Sequence, residues 1–163
     1  MSFQPLPNGT YGRPQPRAVG IWRLVGDYLL KQAHSTRATR FRGVGALALT
    51  TIGAKSGLER GPVPVGFVRD GDDWIITATA AGATHHPSWY FNLAAHPDRA
   101  TIVTNGERIR VTATQLSGEE LARVTAEVRA KSSRMTLRTI DRYRAATDRE
   151  LPLIRLRRAP AQD

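Results

Sequence analysis

The sequence contains no cysteine. That one absence excludes disulfides, thiolate-held zinc, iron–sulfur clusters and thiol nucleophiles together. Acidic residues are scarce: 14 Asp and Glu stand against 24 Lys and Arg, a formal net charge of +10. The surplus predicts an anionic partner, whether a nucleic acid, an anionic membrane face or a phosphorylated small molecule. Aromatics are only 7% of the residues and are not interleaved with the basic strand residues. With no helix-turn-helix, zinc-finger or RNA-recognition signature either, specific nucleic-acid binding is not expected. No apolar run approaches the roughly 20 residues that span a bilayer. The first residues, MSFQPLPNGTYGRPQPR, have no apolar stretch behind their first charges and do not read as a signal peptide. A cytoplasmic protein is the default expectation.

What is present is enough for one domain. The 163 residues are 40% hydrophobic, which argues against a disordered chain. The charge is unevenly placed. Residues 1–60 carry a net +7, residues 61–116 a net −1 and residues 117–163 a net +4. The middle third reads as the core-former. Residues 1–18 are rich in Pro and Gly and read as a flexible arm. Residues 19–43 read as an amphipathic helix, from Gly20 to Gln32, followed by a basic connector. This segment is also the candidate for peripheral contact with an anionic membrane. Residues 44–163 read as the main globular unit.

Six strands are expected there: Ala46–Ile52, Val63–Arg69, Trp74–Thr79, Ala100–Thr104, Glu107–Leu116 and Pro152–Arg157. Two hairpin turns, Asp70-Gly-Asp-Asp73 and Asn105-Gly106, join four of them. Helices are expected over Pro87–Ala95, from Ser117 to about Lys131 behind a capping box, and over residues 138–149. Hairpins dominate and no βαβ alternation is visible. The pattern predicts an α+β fold, an antiparallel barrel with three to four helices packed outside.

Two segments could carry chemistry. The first is Thr50-Thr-Ile-Gly53-Ala-Lys55-Ser56-Gly57-Leu-Glu-Arg60. Glycines that allow a tight turn, two cations and a hydroxyl suit a phosphate, although the spacing is not that of a Walker A loop. The second runs from Ala78 through Thr79, Gly82, His85-His86-Pro87 and Trp89 to Asn92. Its small residues let a flat ligand approach the backbone. Trp89 and Asn92 lie one helical turn apart and can face that ligand together. His85 and His86 have no third ligand at metal spacing, so they read as polar residues before a helix and no metal site is expected.

Taken in order, these segments form a pattern: L-T-T-x-G-x-K-S-G-x-x-R, a D-G-D hairpin, A-T-x-x-G, H-P-x-W-x-x-N-L-x-A-x-P and, near the C-terminus, Y-x-x-x-T-D-R-E-L-P. The pattern resembles the deazaflavin-dependent nitroreductase family, small oxidoreductases that use coenzyme F420, and covers residues 38 to 157. The resemblance implies a six-stranded split β-barrel of the FMN-binding type. It also implies hydride transfer from reduced F420 to a quinone, a nitroaromatic or another electron-poor acceptor. Lys55, Ser56, Gly57 and Arg60 fall on the loop that holds the cofactor's phosphate and acidic tail. Ala78, Thr79 and Gly82 fall on the turn along the deazaflavin ring. Pro87, Trp89 and Asn92 fall on the helix that backs the cofactor. Tyr143 matches a tyrosine near the substrate, and Tyr143 and Thr79 are the candidate catalytic proton donors.

Three positions depart from the family pattern. Ala80 stands where many members carry Lys, Gly66-Phe67 near a frequent Tyr, and Leu137 and Ile140 where nitroreducing members carry aromatics. These changes point away from efficient nitro reduction. The alternatives are an FMN-dependent split-barrel oxidoreductase and, from another class, a basic nucleic-acid-binding domain. The oligomeric state is open, with a dimer one option.

Overall fold

A computed structural model describes residues 3–15, 21–35, 40–41 and 44–161. Helix α1 (Ile21–His34) leads into β1 (Arg40–Phe41) and β2 (Val44–Ile52). Then come β3 (Glu59–Asp70), β4 (Asp73–Thr77), α2 (Ser88–Ala95), β5 (Ala100–Thr104) and β6 (Glu107–Gln115). Helices α3 (Gly118–Lys131) and α4 (Arg134–Ala145) precede the last strand, β7 (Leu153–Arg158). The strands run in the order β2-β3-β4-β7-β6-β5, all antiparallel, and the two-residue β1 adds to β2. Pairing of Ala48 with Val103, Leu49 with Ile102 and Thr50 with Thr101 joins β2 to β5 and closes the ring. The expected six-stranded barrel with four helices is what the chain forms. Closure leaves no free edge among the six ring strands.

Strand composition explains the layers. On β6, Ile109, Val111 and Ala113 point inward and their neighbours face out, the period-two pattern of a half-buried strand. β2 and β4 are apolar on both faces because both faces are covered. Leu47 and Leu49 fill the barrel while the intervening Ala48 is also buried, and β2 lies against α1. Trp74 and Ile76 fill the barrel, and Ile75 points the other way into a second cluster with Leu116, Val124 and Leu153, beneath α3. The Asn105-Gly106 turn is formed as expected, with φ of 50° and 75°.

Several boundaries differ from the sequence expectation. β3 begins at Glu59, so Arg60 sits on a strand opposite Thr51 instead of in the loop. Gly61-Pro62 falls where the β2–β3 register shifts, and an irregular rung tolerates a residue with no N–H. β4 ends at Thr77, because Thr79 already turns into helical backbone at φ −73°, ψ −38°. The capping box at α3 does not form: Ser117 makes no side-chain cap and Glu120 is drawn instead to the guanidinium of Arg155, a charge-assisted contact. The helix expected over 138–149 starts and stops four residues earlier. Ser133 caps its start by accepting from the Thr136 N–H at 3.2 Å, and residues 147–149 are drawn into other contacts.

The arm also needs correction. Residues 3–13 are extended but docked. Phe3 is buried in the barrel-end core against Tyr90, and Gly9 and Arg13 donate to the carbonyls of Thr84 and Gly82, both at 2.9 Å. Pro and Gly removed helix and strand patterning from this stretch, and fixed side-chain and backbone partners supply the order instead. Residues 16–18 of the expected arm, and residues 36–39 and 42–43 of the basic connector, lie outside the described residues.

Candidate functional site

A cleft of about 670 Å3 opens at the end of the barrel between the β2–β3 connection and α2. Its volume is in the range of small-molecule sites. Gly53, Ala54, Lys55, Ser56 and Arg60 form one wall. Val63, Trp89 and Phe91 make the apolar part. Asn92 and Thr51 lie at its base.

The loop is tied at its root. Gly53 N–H donates to the Leu58 carbonyl at 2.8 Å, and Gly57 N–H to that of Gly53 at 2.9 Å. Asn92 fixes it from the helix: its side-chain oxygen accepts from Ala54 N–H at 3.0 Å and its Nδ2 donates to the Thr51 hydroxyl at 2.9 Å. Both Asn92 and Thr51 are buried, so these bonds satisfy groups that water does not reach. Ser56 Oγ accepts from Arg60 at 3.2 Å and from Leu58 N–H at 3.3 Å. A Cβ at Gly53 would collide with that Ser56 hydroxyl, so a side chain there would turn the hydroxyl away from its two donors. Three arginines of β7 are paired: Arg155 with Asp70, Arg157 with Asp73 and Arg158 with Glu107. Lys55 and Arg60, both exposed, have no carboxylate partner among the described residues.

The second expected segment lies apart from this wall. Ala78 is fully buried, and the chain turns through a short 3-10 element at Ala80–Gly82. Gly82 packs onto α4, where a Cβ would sit 2.9 Å from the Tyr143 carbonyl oxygen. Thr79 and the helix that carries Tyr143 are thus brought to one place, with Tyr143 half-buried. Pro87 caps α2, its carbonyl accepting from Tyr90 N–H at 3.0 Å. Of the expected residues, Lys55, Ser56, Arg60, Trp89 and Asn92 share the cleft. Gly57 is the exposed loop tip, while Ala78, Thr79, Gly82 and Tyr143 gather at the turn and α4.

Behind that turn is a buried polar cluster that sequence reasoning missed. Arg149 donates to the carbonyls of Ala78, Thr79 and Ala83 and to His86 Nδ1, at 2.7–3.0 Å. Burial first, and the Arg149 charge second, push the His86 imidazole down to about 4. Burial pushes the Tyr90 phenol up, opposed by the Leu6 N–H that donates to it at 2.9 Å. The only sequence signal was the Thr147-Asp148-Arg149 run, which carried no chemistry of its own, and His86 read as a bland polar residue.

The family model for F420H(2)-dependent quinone reductases matches residues 23–157. The chain belongs to that family. An F420H(2)-dependent quinone reductase of Mycobacterium tuberculosis strain H37Rv is 32% identical over 146 residues, covering 87% of this chain and 94% of the relative. The same protein of strain CDC 1551 matches equally. Among solved structures, an F420-H2-dependent reductase designated FDR-A superposes with a TM-score of 0.56 at 31% identity, over 69% of this chain and 93% of the other. A chain described as a domain-swapped dimer gives 0.57 at 26% identity, over 84% and 98%. The family decides between the two cofactor readings in favour of the deazaflavin.

Proposed function

We propose that this member of the family binds reduced F420 along the cleft and passes its hydride to a quinone. The oxidoreductase class and the deazaflavin cofactor come with the family; the acceptor and the residue roles are the proposal. The observation that carries it is the cleft wall: two cations without acid partners beside a tied loop, over an apolar floor of Trp89, Phe91 and Val63. That donor set fits a ligand with an anionic tail and a flat, weakly polar ring.

When bound, the cofactor supplies a hydride, and the protein contributes binding, orientation and exclusion of water. Lys55, Arg60 and the Ser56 hydroxyl hold the phosphate and acidic tail. Asn92 keeps Ala54 and Thr51 in place, so that the wall is shaped before the ligand arrives. Thr79, half-buried, is the member of the turn that meets the ring, Ala78 and Gly82 shape the turn from within, and Pro87 and Trp89 set the helix behind it. An acceptor that gains a hydride also gains negative charge, and the hydroxyls of Thr79 and Tyr143 are the proton donors in this reading. A cytoplasmic enzyme that meets lipid-dissolved quinone through α1 fits the same reading. Leu24 and Tyr28, one turn apart on that helix, are 69% and 48% exposed, and Lys31 follows them. Among the described residues no helix is long and apolar enough to cross a membrane. Dimerisation belongs to the same reading, supported by the swapped dimer among the structural relatives.

The test is to titrate F420 into the protein, then follow oxidation of reduced F420 with quinones, nitroaromatics and unsaturated ketones. Saturable binding at micromolar cofactor and fastest turnover with quinones are expected. Tyr143→Phe lowers kcat if its phenol donates the proton. No saturable binding would sink the reading, and nitroaromatics as the best acceptors would sink the quinone assignment.

A further inference from the structure

The Thr147-Asp148-Arg149 run has no part in the chemistry above, yet each of its three side chains bonds to segments distant in the sequence. Arg149 is 4% exposed and has no carboxylate partner among the described residues. A buried guanidinium is costly unless its donors are used. Nε donates to Ala83 O at 3.0 Å and NH2 to Thr79 O at 2.7 Å. NH1 reaches Ala78 O at 2.9 Å, His86 Nδ1 at 2.8 Å and Glu150 O at 3.3 Å. Three of these acceptors belong to one turn, in which Ala80 and Ala81 have φ of 43° and 53°. Two successive left-handed alanines are an unfavourable geometry that persists only where the surroundings over-determine it. The guanidinium, by gathering the carbonyls on either side of those alanines, is what over-determines it.

The same run grips the N-terminal arm. Asp148 accepts from Thr10 N–H at 2.8 Å, from the Thr10 hydroxyl at 2.5 Å and from Tyr11 N–H at 3.2 Å. Thr147 Oγ1 donates to Tyr11 O at 2.7 Å. The arm in turn holds the outer side of the turn: Arg13 N–H donates to Gly82 O, Gly9 N–H to Thr84 O, and Asn8 Oδ1 accepts from His86 N–H, each at 2.9 Å. An arginine can only donate, so His86 Nδ1 is the acceptor and the ring proton is on Nε2, donating to Pro7 O at 3.1 Å.

We propose that Arg149 is a positioning residue for hydride transfer: it fixes the 78–83 turn from behind, and Thr147 and Asp148 clamp residues 8–13 across that turn's outer side. The inference rests on the reading of the turn as the surface that meets the cofactor ring. The cofactor's tail is held elsewhere, by Lys55, Ser56 and Arg60. Loss of Arg149 therefore shifts ring geometry without releasing the ligand, and small misplacements of a reacting centre are costly in rate.

Four proteins test this: wild type, Arg149→Met, Arg149→Lys and Asp148→Ala. For each, the F420 dissociation constant, the rate at saturating F420 and quinone, and the nitrogen NMR signals of His86 are measured. The expected result for Arg149→Met is a dissociation constant within about threefold of wild type and a rate at least about tenfold lower. Lysine, reaching fewer carbonyls, restores part of the rate. Asp148→Ala lowers the rate severalfold at unchanged F420 affinity. In wild type the His86 Nδ1 is unprotonated and Nε2 protonated at neutral pH. If Arg149→Met does not fold, Arg149→Lys and Asp148→Ala carry the test. Wild-type rates in those variants, or affinity and rate falling in equal proportion, overturn the proposal, as does a protonated Nδ1 in wild type. Failure of wild type to bind F420 overturns the functional reading itself, and the His86 signals still report whether the Arg149 grip exists.

Discussion

The 53–58 loop and the 78–83 turn face the same chemistry and are built in opposite ways. The loop is exposed, and short-range backbone bonds, the Ser56 hydroxyl and the Asn92 side chain hold it. Its cation, Lys55, is exposed, and no carboxylate pairs with it among the described residues. The turn is half-buried or buried, its carbonyls face inward, and residues about 65–70 positions away hold it. The difference follows from what each must recognise. A charged, flexible tail is captured by charge that any small displacement leaves effective. A reacting ring needs a surface placed to a fraction of an ångström, and that takes buried, over-determined backbone.

The comparison breaks most visibly at low pH. His86 has its imidazole pushed down to about 4 from an ordinary 6.5. Between those values the unfolded chain takes up a proton that the folded chain refuses. The His86 contribution to stability is therefore full above about pH 6.5 and is lost as pH drops from there to 4, by about 3 kcal/mol. Asp70 and Asp148, held below their ordinary value of 3.8 first by Arg123 and Thr10 respectively, lose their contributions only at lower pH still. Wild-type Tm should fall steadily from pH 7 to pH 4.5, and His86→Asn should flatten that slope. A flat wild-type profile would show that the turn is not closed around a neutral histidine.

Asn92→Leu attacks the loop at its root. It leaves the Ala54 N–H and the buried Thr51 hydroxyl without partners, at a cost of about 2 kcal/mol. Because the loop hangs from Ala54, cofactor affinity should fall along with Tm. If thermal melting shows less than about 0.5 kcal/mol of destabilisation, Asn92 is not the tether described here.

How much of this was legible differs between the two regions in the same way. The loop announced itself, since Gly53, Lys55, Ser56 and Arg60 are contiguous or nearly so, and the chemistry of that spacing is local. Hairpins were equally legible, because Asn105-Gly106 and the Ile109-Val111-Ala113 alternation are short-range signals. The grip on the turn was not. Arg149 and His86 are 63 residues apart, and the arm that closes over them is 136 residues from Thr147. A lone Arg beside an Asp reads as surface charge, and a Pro/Gly-rich arm reads as free, because neither pattern encodes long-range partners. The strand start at Glu59 was hidden for a related reason: Gly61-Pro62 is a local stop signal that a register shift accommodates.

The smallest stability effect is expected where the charge is most conspicuous. Lys55 and Arg60 are exposed, and the one side-chain hydrogen bond of the pair among the described residues is that from Arg60 to Ser56 at 3.2 Å. Lys55→Gln should change unfolding free energy by less than about 0.5 kcal/mol. Affinity is another matter, because an unpartnered cation has no internal ion pair to break before it meets a phosphate or carboxylate. F420 binding to Lys55→Gln should weaken about tenfold at low salt, and less at high salt, where screening has already removed much of the wild-type advantage. Titrations at two ionic strengths measure both. Unchanged affinity would move the tail away from this wall, and a loss of stability comparable to that of Asn92→Leu would mean that the loop is held by its charges after all, erasing the contrast with the turn.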